Sequence, residues 1–215
     1  ADVAEEAKRV AAAKRLLSAK ARKKGAGDAV AKTNIDHDSA EPKDKAMRVA
    51  IPNTLQRHLM EDLDMIESMR LITLPRTHTV EQVLHQFLKS KASRSEGDAE
   101  FVEGIQVLFD MSLSRSLLYR FEKPQYKLLN ASQRANTTRR DSSVYGTEHL
   151  LRLLVKIPQM FVEQNADPSL LQTFQPRIQE LVKYLEKNAS TLLVPEYEQA
   201  DTKYMEMVEA EEAKA

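Results

Sequence analysis

Five histidines and one dense acidic run are the residues of this chain best suited to chemistry. A zinc centre needs imidazoles or thiolates whose spacing lets them converge on one ion. His37, His58, His78, His85 and His149 never stand at HExxH spacing, and no cysteine exists to complete a site. Glu61, Asp62, Asp64 and Glu67 could offer oxygen ligands to a hard cation. Their spacing scatters them round a helix and nothing supplies a calcium loop, so a solvated helix face is expected. His149 and Arg152 have the makeup of an acid–base pair. No nucleophile stands near them in sequence, so a structural histidine, hydrogen-bonded near a helix start, is expected instead. Neither a GxxxxGK loop nor a GxGxxG turn occurs, which leaves nucleotide binding without sequence support. The reading is therefore non-enzymatic, with no metal and no cofactor.

His149 and Arg152 belong to Ser143–Lys156, a glycine-hinged entry into a helix that is apolar on more than one face. Leu150, Leu151, Leu153, Leu154, Val155 and Ile157 crowd eight positions, interrupted regularly by Arg152 and Lys156. An amphipathic surface helix needs only a stripe. A helix apolar nearly all round must be central, or must lend its spare face to another body.

The elements around it read as helices. Asn53 or Thr54 can cap a helix to about Met69, with Leu55, Leu59, Leu63 and Ile66 on one side. Leu71–Leu74, stopped by Pro75, is extended. Thr79 with Gln82 three residues on is a capping box ahead of Val80, Val83, Leu84, Phe87 and Leu88. A long helix is expected from about Ala99 to Phe121, then a polar loop over Asn130–Ser143. Helices follow at Thr147–Glu163, at Pro168 to Leu192 with a break at Pro176, and after Pro195. The fold class is a predominantly helical, all-α globule with a small β-hairpin.

Composition agrees. The 215 residues carry 32 basic and 32 acidic side chains, 42% hydrophobic residues, five glycines and eight prolines. That suits one helical domain with tails and leaves few turns for a sandwich or barrel. Lack of cysteine excludes a disulfide framework and fits a reducing compartment. No run of eighteen apolar residues is present, so no membrane span is expected. The chain begins at Ala1 without a signal-peptide pattern and reads as a fragment or a processed chain. The sequons at Asn136 and Asn188 read as chance. Three zones are expected: a basic helical segment and flexible linker over 1–48, a dense hydrophobic domain over 49–208, and a fraying acidic tail over 209–215. Between Lys8 and Lys24 lie eight basic residues and no acidic one. Such a run could neutralise phosphates, giving salt-dependent nucleic-acid binding as the alternative function. No aromatics interleave for base stacking, so a solvated helical linker is preferred. Lys20–Lys24 is also a weak nuclear-localisation match.

Four blocks resemble one family. They are Ile51-Pro52 with Leu59–Asp64 and Leu74-Pro75; Leu117–Tyr126; Val144–Leu153; and Tyr184–Asn188. Together they resemble the MRG (mortality-factor-related gene) domain over about residues 49–208. The resemblance implies a helical protein-recognition domain with a small β element, acting in the nucleus as a non-catalytic subunit of histone acetyltransferase and histone deacetylase complexes. It implies partner capture in a hydrophobic groove, some pockets of which receive a Phe-x-Leu-Pro motif. The family's partner-binding positions fall on Ile51, Leu59, Met60, Leu63, Tyr119, Val155 and Lys156. Two depart from the family's usual residues. Leu63 stands where the family has tryptophan, losing a flat surface and an N–H donor. Lys156 stands where arginine is common, losing the planar fork. Longer members carry a chromodomain that reads methyl-lysine with an aromatic cage. With no tryptophan, and no Phe or Tyr before Phe87, that activity is not expected of this polypeptide. The apolar groove residues also exceed what one helical stripe needs for a core, and Met60 suits a pocket that adapts to several partners.

Overall fold

Hydrophobic spacing and end signals account for most elements of the computed structural model, which describes residues 48–91, 95–132, 139–163, 168–193 and 196–213. Among them are α1 (Asn53–Glu67), β1 (Arg70–Ile72), α2 (Val80–Ser90), α3 (Glu96–Ser112) and α4 (Lys123–Ser132). There follow α5 (Thr147–Glu163), α6 (Pro168–Lys187), α7 (Ala189–Leu192), β2 (Tyr197–Gln199) and α8 (Thr202–Glu212). A π-helical segment (Leu113–Leu117) and a 3-10 turn (Arg120–Glu122) lead from α3 to α4; a second 3-10 turn (Asp141–Ser143) precedes α5. The basic segment 8–24, nearly all of the expected linker and the Asn136 sequon lie outside the described residues.

The all-round apolar helix takes the central place. Every residue of α5 from Thr147 through Leu154 is buried, and the helix packs against α1, α2, α3 and the π segment. Its leucines join Leu55, Val83, Leu84, Phe101, Phe109, Leu181 and Leu185 in the main core. A second, smaller cluster holds Ile66, Leu71, Phe121, Tyr204 and Val208. It sits under the antiparallel pair of β1 and β2, in the register Arg70↔Gln199, Leu71↔Glu198 and Ile72↔Tyr197.

Several ends follow the expected signals. Thr79 caps α2, its hydroxyl accepting the Gln82 N–H while Gln82 returns a side-chain oxygen to the Thr79 N–H. The same device, Ser95 with Asp98, starts α3 slightly ahead of the expected Ala99. Other expectations are corrected. Neither Asn53 nor Thr54 caps α1: the helix starts behind Pro52, whose carbonyl accepts the Gln56 N–H. Met69, in the left-handed region at φ 59°, then turns the chain from α1 into β1. The long helix expected to reach Phe121 leaves α geometry after Ser112, and the Leu118 N–H donates to the Leu113 carbonyl five residues back. Part of the expected 130–143 loop belongs to α4, and Pro176 lies inside α6 without ending it. After Pro195 comes β2 before any helix, and the tail expected to fray from Glu209 stays helical to Glu212.

One glycine fixes how α2 meets α5. Thr79 and Gly146 form an isolated antiparallel bridge. A Cβ on Gly146 would stand 2.7 Å from Glu148 Oε2 and 2.8 Å from Arg76 Cγ. Those two side chains are buried and paired at 2.9 Å. Gly146→Ala is therefore expected to destabilise the domain by about 1–3 kcal/mol through overpacking. A lower urea midpoint would read it; an unchanged midpoint would mean the pair can step aside.

Candidate partner-binding surface

A polar residue inside an apolar helix must find partners or leave the interior. Arg152 finds several. Its Nε donates to Asp62 Oδ2 on α1 at 2.8 Å, and its Nη1 and Nη2 donate to the two oxygens of Glu122 at 2.6 and 3.2 Å. Nη1 also reaches the Leu117 carbonyl at 3.1 Å. One guanidinium thus ties α1, the π segment and the 3-10 turn to α5. His149, one turn earlier, places Nε2 3.0 Å from Glu122 Oε1. Glu122 also accepts the Tyr119 backbone N–H at 2.8 Å. Tyr197 on β2 donates its hydroxyl to Asp62 Oδ1 at 2.6 Å.

The electrostatics match this wiring. Burial raises a carboxyl, yet the neighbouring charges and hydrogen bonds of His149 and Arg152 outweigh it and hold Glu122 down at about 2. Burial opposes the Arg152 charge, but Glu122 and Asp62 more than restore it, so its pKa is raised. Burial and then the charge of Asp62 push the Tyr197 phenol up, which keeps it a donor. A depressed carboxyl adds stability above its unfolded value of 4.5, and that stability is lost as pH falls toward about 2. Denaturation between pH 5 and pH 2 should therefore show a slope that Glu122→Gln reduces; equal slopes would mean the carboxyl titrates normally.

Asp62 corrects one expectation. Glu61, Asp64 and Glu67 are exposed as a solvated acidic run should be, but Asp62 is buried against Arg152. His149 is fully buried and hydrogen-bonded near the start of α5, the structural role preferred for it. Its Nδ1 has no hydrogen-bond partner among the described residues. These groups are sealed in and paired with one another. They form a joint between α1, the 3-10 turn and α5.

The expected partner-binding residues surround this joint unevenly. The Tyr119 ring is half-buried and lies over the Arg152 guanidinium, 4.1 Å from its centroid. Val155, one turn beyond Arg152, is 48% exposed. Lys156, one turn beyond Arg152 on a neighbouring line, donates to the Ser116 carbonyl of the π segment. On α1, Leu59 and Leu63 lie one turn before and immediately after Asp62, both half-buried. Met60 beside them is 67% exposed. Ile51 stands apart: it packs on the main core, and its neighbour Ala50 exchanges two hydrogen bonds with Gln179 of α6. A cavity of about 250 Å³ adjoins Lys156, lined by Leu108, Met111, Ser116 and Met160 among others. Sequence reading misplaced Asp62 on a solvated face and missed Glu122 and Tyr197. The only available signal was Arg152 itself, a cation in a helix with no free polar face.

No group of histidine, aspartate or glutamate side chains able to hold a metal occurs among the described residues. No described helix is long and apolar enough to cross a membrane.

Helices packed on a central apolar helix, closed by a two-stranded sheet and tied by one buried arginine, define a predominantly all-α domain. The chain belongs to the MRG family, whose family model, described as MRG, matches residues 28–199. It is 33% identical over 162 residues to the NuA4 complex subunit EAF3 homolog of Dictyostelium discoideum, covering 75% of this chain and 42% of that protein. Protein MRG1 of Arabidopsis thaliana is 32% identical over 169 residues, covering 74% of this chain and 51% of that protein. Mortality factor 4-like protein 1 of Rattus norvegicus is 34% identical over 166 residues, covering 74% and 50%. The chain spans about half the length of the curated relatives it matches.

Proposed function

We propose that this chain is a non-catalytic docking subunit of nuclear chromatin-modifying complexes, of the histone acetyltransferase or histone deacetylase type. It captures partner subunits on the surface formed by Leu59, Met60, Leu63, Tyr119, Val155 and Lys156, with Ile51 at its margin. The observation that carries this reading is the mounting of Tyr119 on a buried, fully paired arginine, with Val155 exposed one turn away on the same helix. A half-buried aromatic stacked on a buried guanidinium is the kind of anchor on which protein interfaces concentrate their energy. The names of its relatives, a NuA4 complex subunit homolog among them, support the setting.

Burying a partner phenylalanine and leucine here would contribute roughly 1.5–3 kcal/mol each. A short motif such as Phe-x-Leu-Pro therefore needs either preorganisation or a longer contact to reach tight binding. The test is capture from nuclear extract read by mass spectrometry. The intact chain is expected to enrich chromatin-complex subunits, and folded Tyr119→Ala and Val155→Asp variants are expected to lose them. Retention of every partner by both variants would overturn the reading.

A further inference from the structure

The surface proposed above straddles the seam between the two hydrophobic clusters. Leu59 and Ile51 pack on the main core, whereas Tyr119 packs on the second cluster. Two of that cluster's five buried residues, Tyr204 and Val208, come from α8, and Met205 and Ala200 pack against it. The family match ends at residue 199, so α8 falls wholly past it.

Polar ties attach this arm at the same place. The Tyr204 hydroxyl donates to the Phe121 carbonyl and accepts the Gln125 backbone N–H at 3.1 Å. Its ring meets Phe121 edge-on at 5.4 Å. Tyr197 holds one oxygen of Asp62 while Arg152 holds the other, and Arg152 carries Tyr119. The chain from Tyr197 through Asp62 and Arg152 leads from the arm to Tyr119 across two side chains. By contrast the arm's sheet contribution is three residues, and its Lys127–Glu211 pair is largely exposed and worth little. An element packed on the smaller of the two clusters opens more readily than the main core.

We propose that residues 196–213 are the second wall of the partner surface, holding Tyr119 in place so that arm docking and partner capture are coupled. This rests on the partner reading above. The guanidinium of Arg152 holds the ring from α5, and the ring packs on the second cluster, to which the arm contributes Tyr204 and Val208. A partner that engages Tyr119 therefore favours the docked arm, and by linkage the docked arm favours the partner by the same factor.

Fluorine labelling tests it without a partner. The chain has six tyrosines, and Tyr119→Phe assigns the Tyr119 signal in a 3-fluorotyrosine sample. In a chain ending at Asp201 the Tyr119 resonance is expected to shift or broaden, while Tyr145 and Tyr184, which belong to the main core, keep theirs. If all signals collapse because that variant fails to fold, Met205→Ala, made at a half-buried position, decides instead. An unmoved Tyr119 resonance in a folded arm variant would overturn the proposal. A fluorescein-labelled Phe-x-Leu-Pro peptide should bind the arm variant about tenfold more weakly than the intact chain. Equal affinity would also overturn it. Failure of the intact chain to bind that peptide counts against the partner motif alone, and the fluorine signal still decides this proposal.

Discussion

Arg152→Ala is expected to lower the unfolding free energy by about 3–5 kcal/mol, the loss typical of removing one partner from a buried ion cluster. Domains of this kind are stable by only about 5–15 kcal/mol. The substitution leaves Asp62 and Glu122 as buried carboxylates facing one another's charge, and strips the Leu117 carbonyl of a donor. Arg152→Lys should fall between the two, because an ammonium cannot serve two carboxylates and a carbonyl with one planar fork. Urea denaturation followed by helical circular dichroism measures the series. Adding Asp62→Asn and Glu122→Gln to an Arg152→Met chain should recover part of the loss, since the cost lies mainly in stranded charge. A shift below about 1 kcal/mol for Arg152→Ala would mean that water reaches the joint, and that its pairs weigh no more than surface ones.

Val155→Asp should leave stability within about 0.5 kcal/mol, as expected of an exposed helix position, and yet weaken partner binding at least about a hundredfold. Two contributions add. The apolar contact disappears, and a carboxylate must either lose its water or hold the partner away. A hundredfold change corresponds to about 2.7 kcal/mol, within the range of a hot-spot residue. Val162→Asp is the comparison, since Val162 is also exposed on α5, two turns further on. It should bind normally. Equal loss for both would move the centre of the contact along α5 and away from Tyr119. No loss for Val155→Asp would remove α5 from the interface.

What could be read in the sequence was whatever neighbours along the chain decide. Thr79 and Gln82 announce their capping box because both partners lie within one turn. The limits of α5 were legible from Thr147 to Glu163, because polar residues bound a dense apolar run there. The strand at Leu71 and Ile72 was legible from Pro75 close behind, but its mate at Tyr197–Gln199 was not, since Tyr-Glu-Gln carries no alternation. Asp62 was misread because the residue that buries it is ninety positions away. The departure from α geometry after Ser112 has no proline or glycine to mark it; it is maintained by tertiary hydrogen bonds from Lys156 and Arg152 to the Ser116 and Leu117 carbonyls. Among the site residues, type and helical phase suggested an apolar surplus, but only packing separates exposed Met60 and Val155 from half-buried Leu59 and Ile51.

A π turn is a helix holding one residue too many. Between Leu113 and Leu118 a widened ring absorbs that surplus residue, so the chain beyond keeps the facing that a helix one residue shorter would give it. Deleting a single position there, Ser114 for instance, would let the ladder close as an ordinary turn and leave Tyr119 facing much as it does now. The same deletion within the regular part of α3 would swing everything downstream by about 100°. The aim of the surface thus depends on where a change of length falls, and this short stretch is the place in the helix that absorbs one.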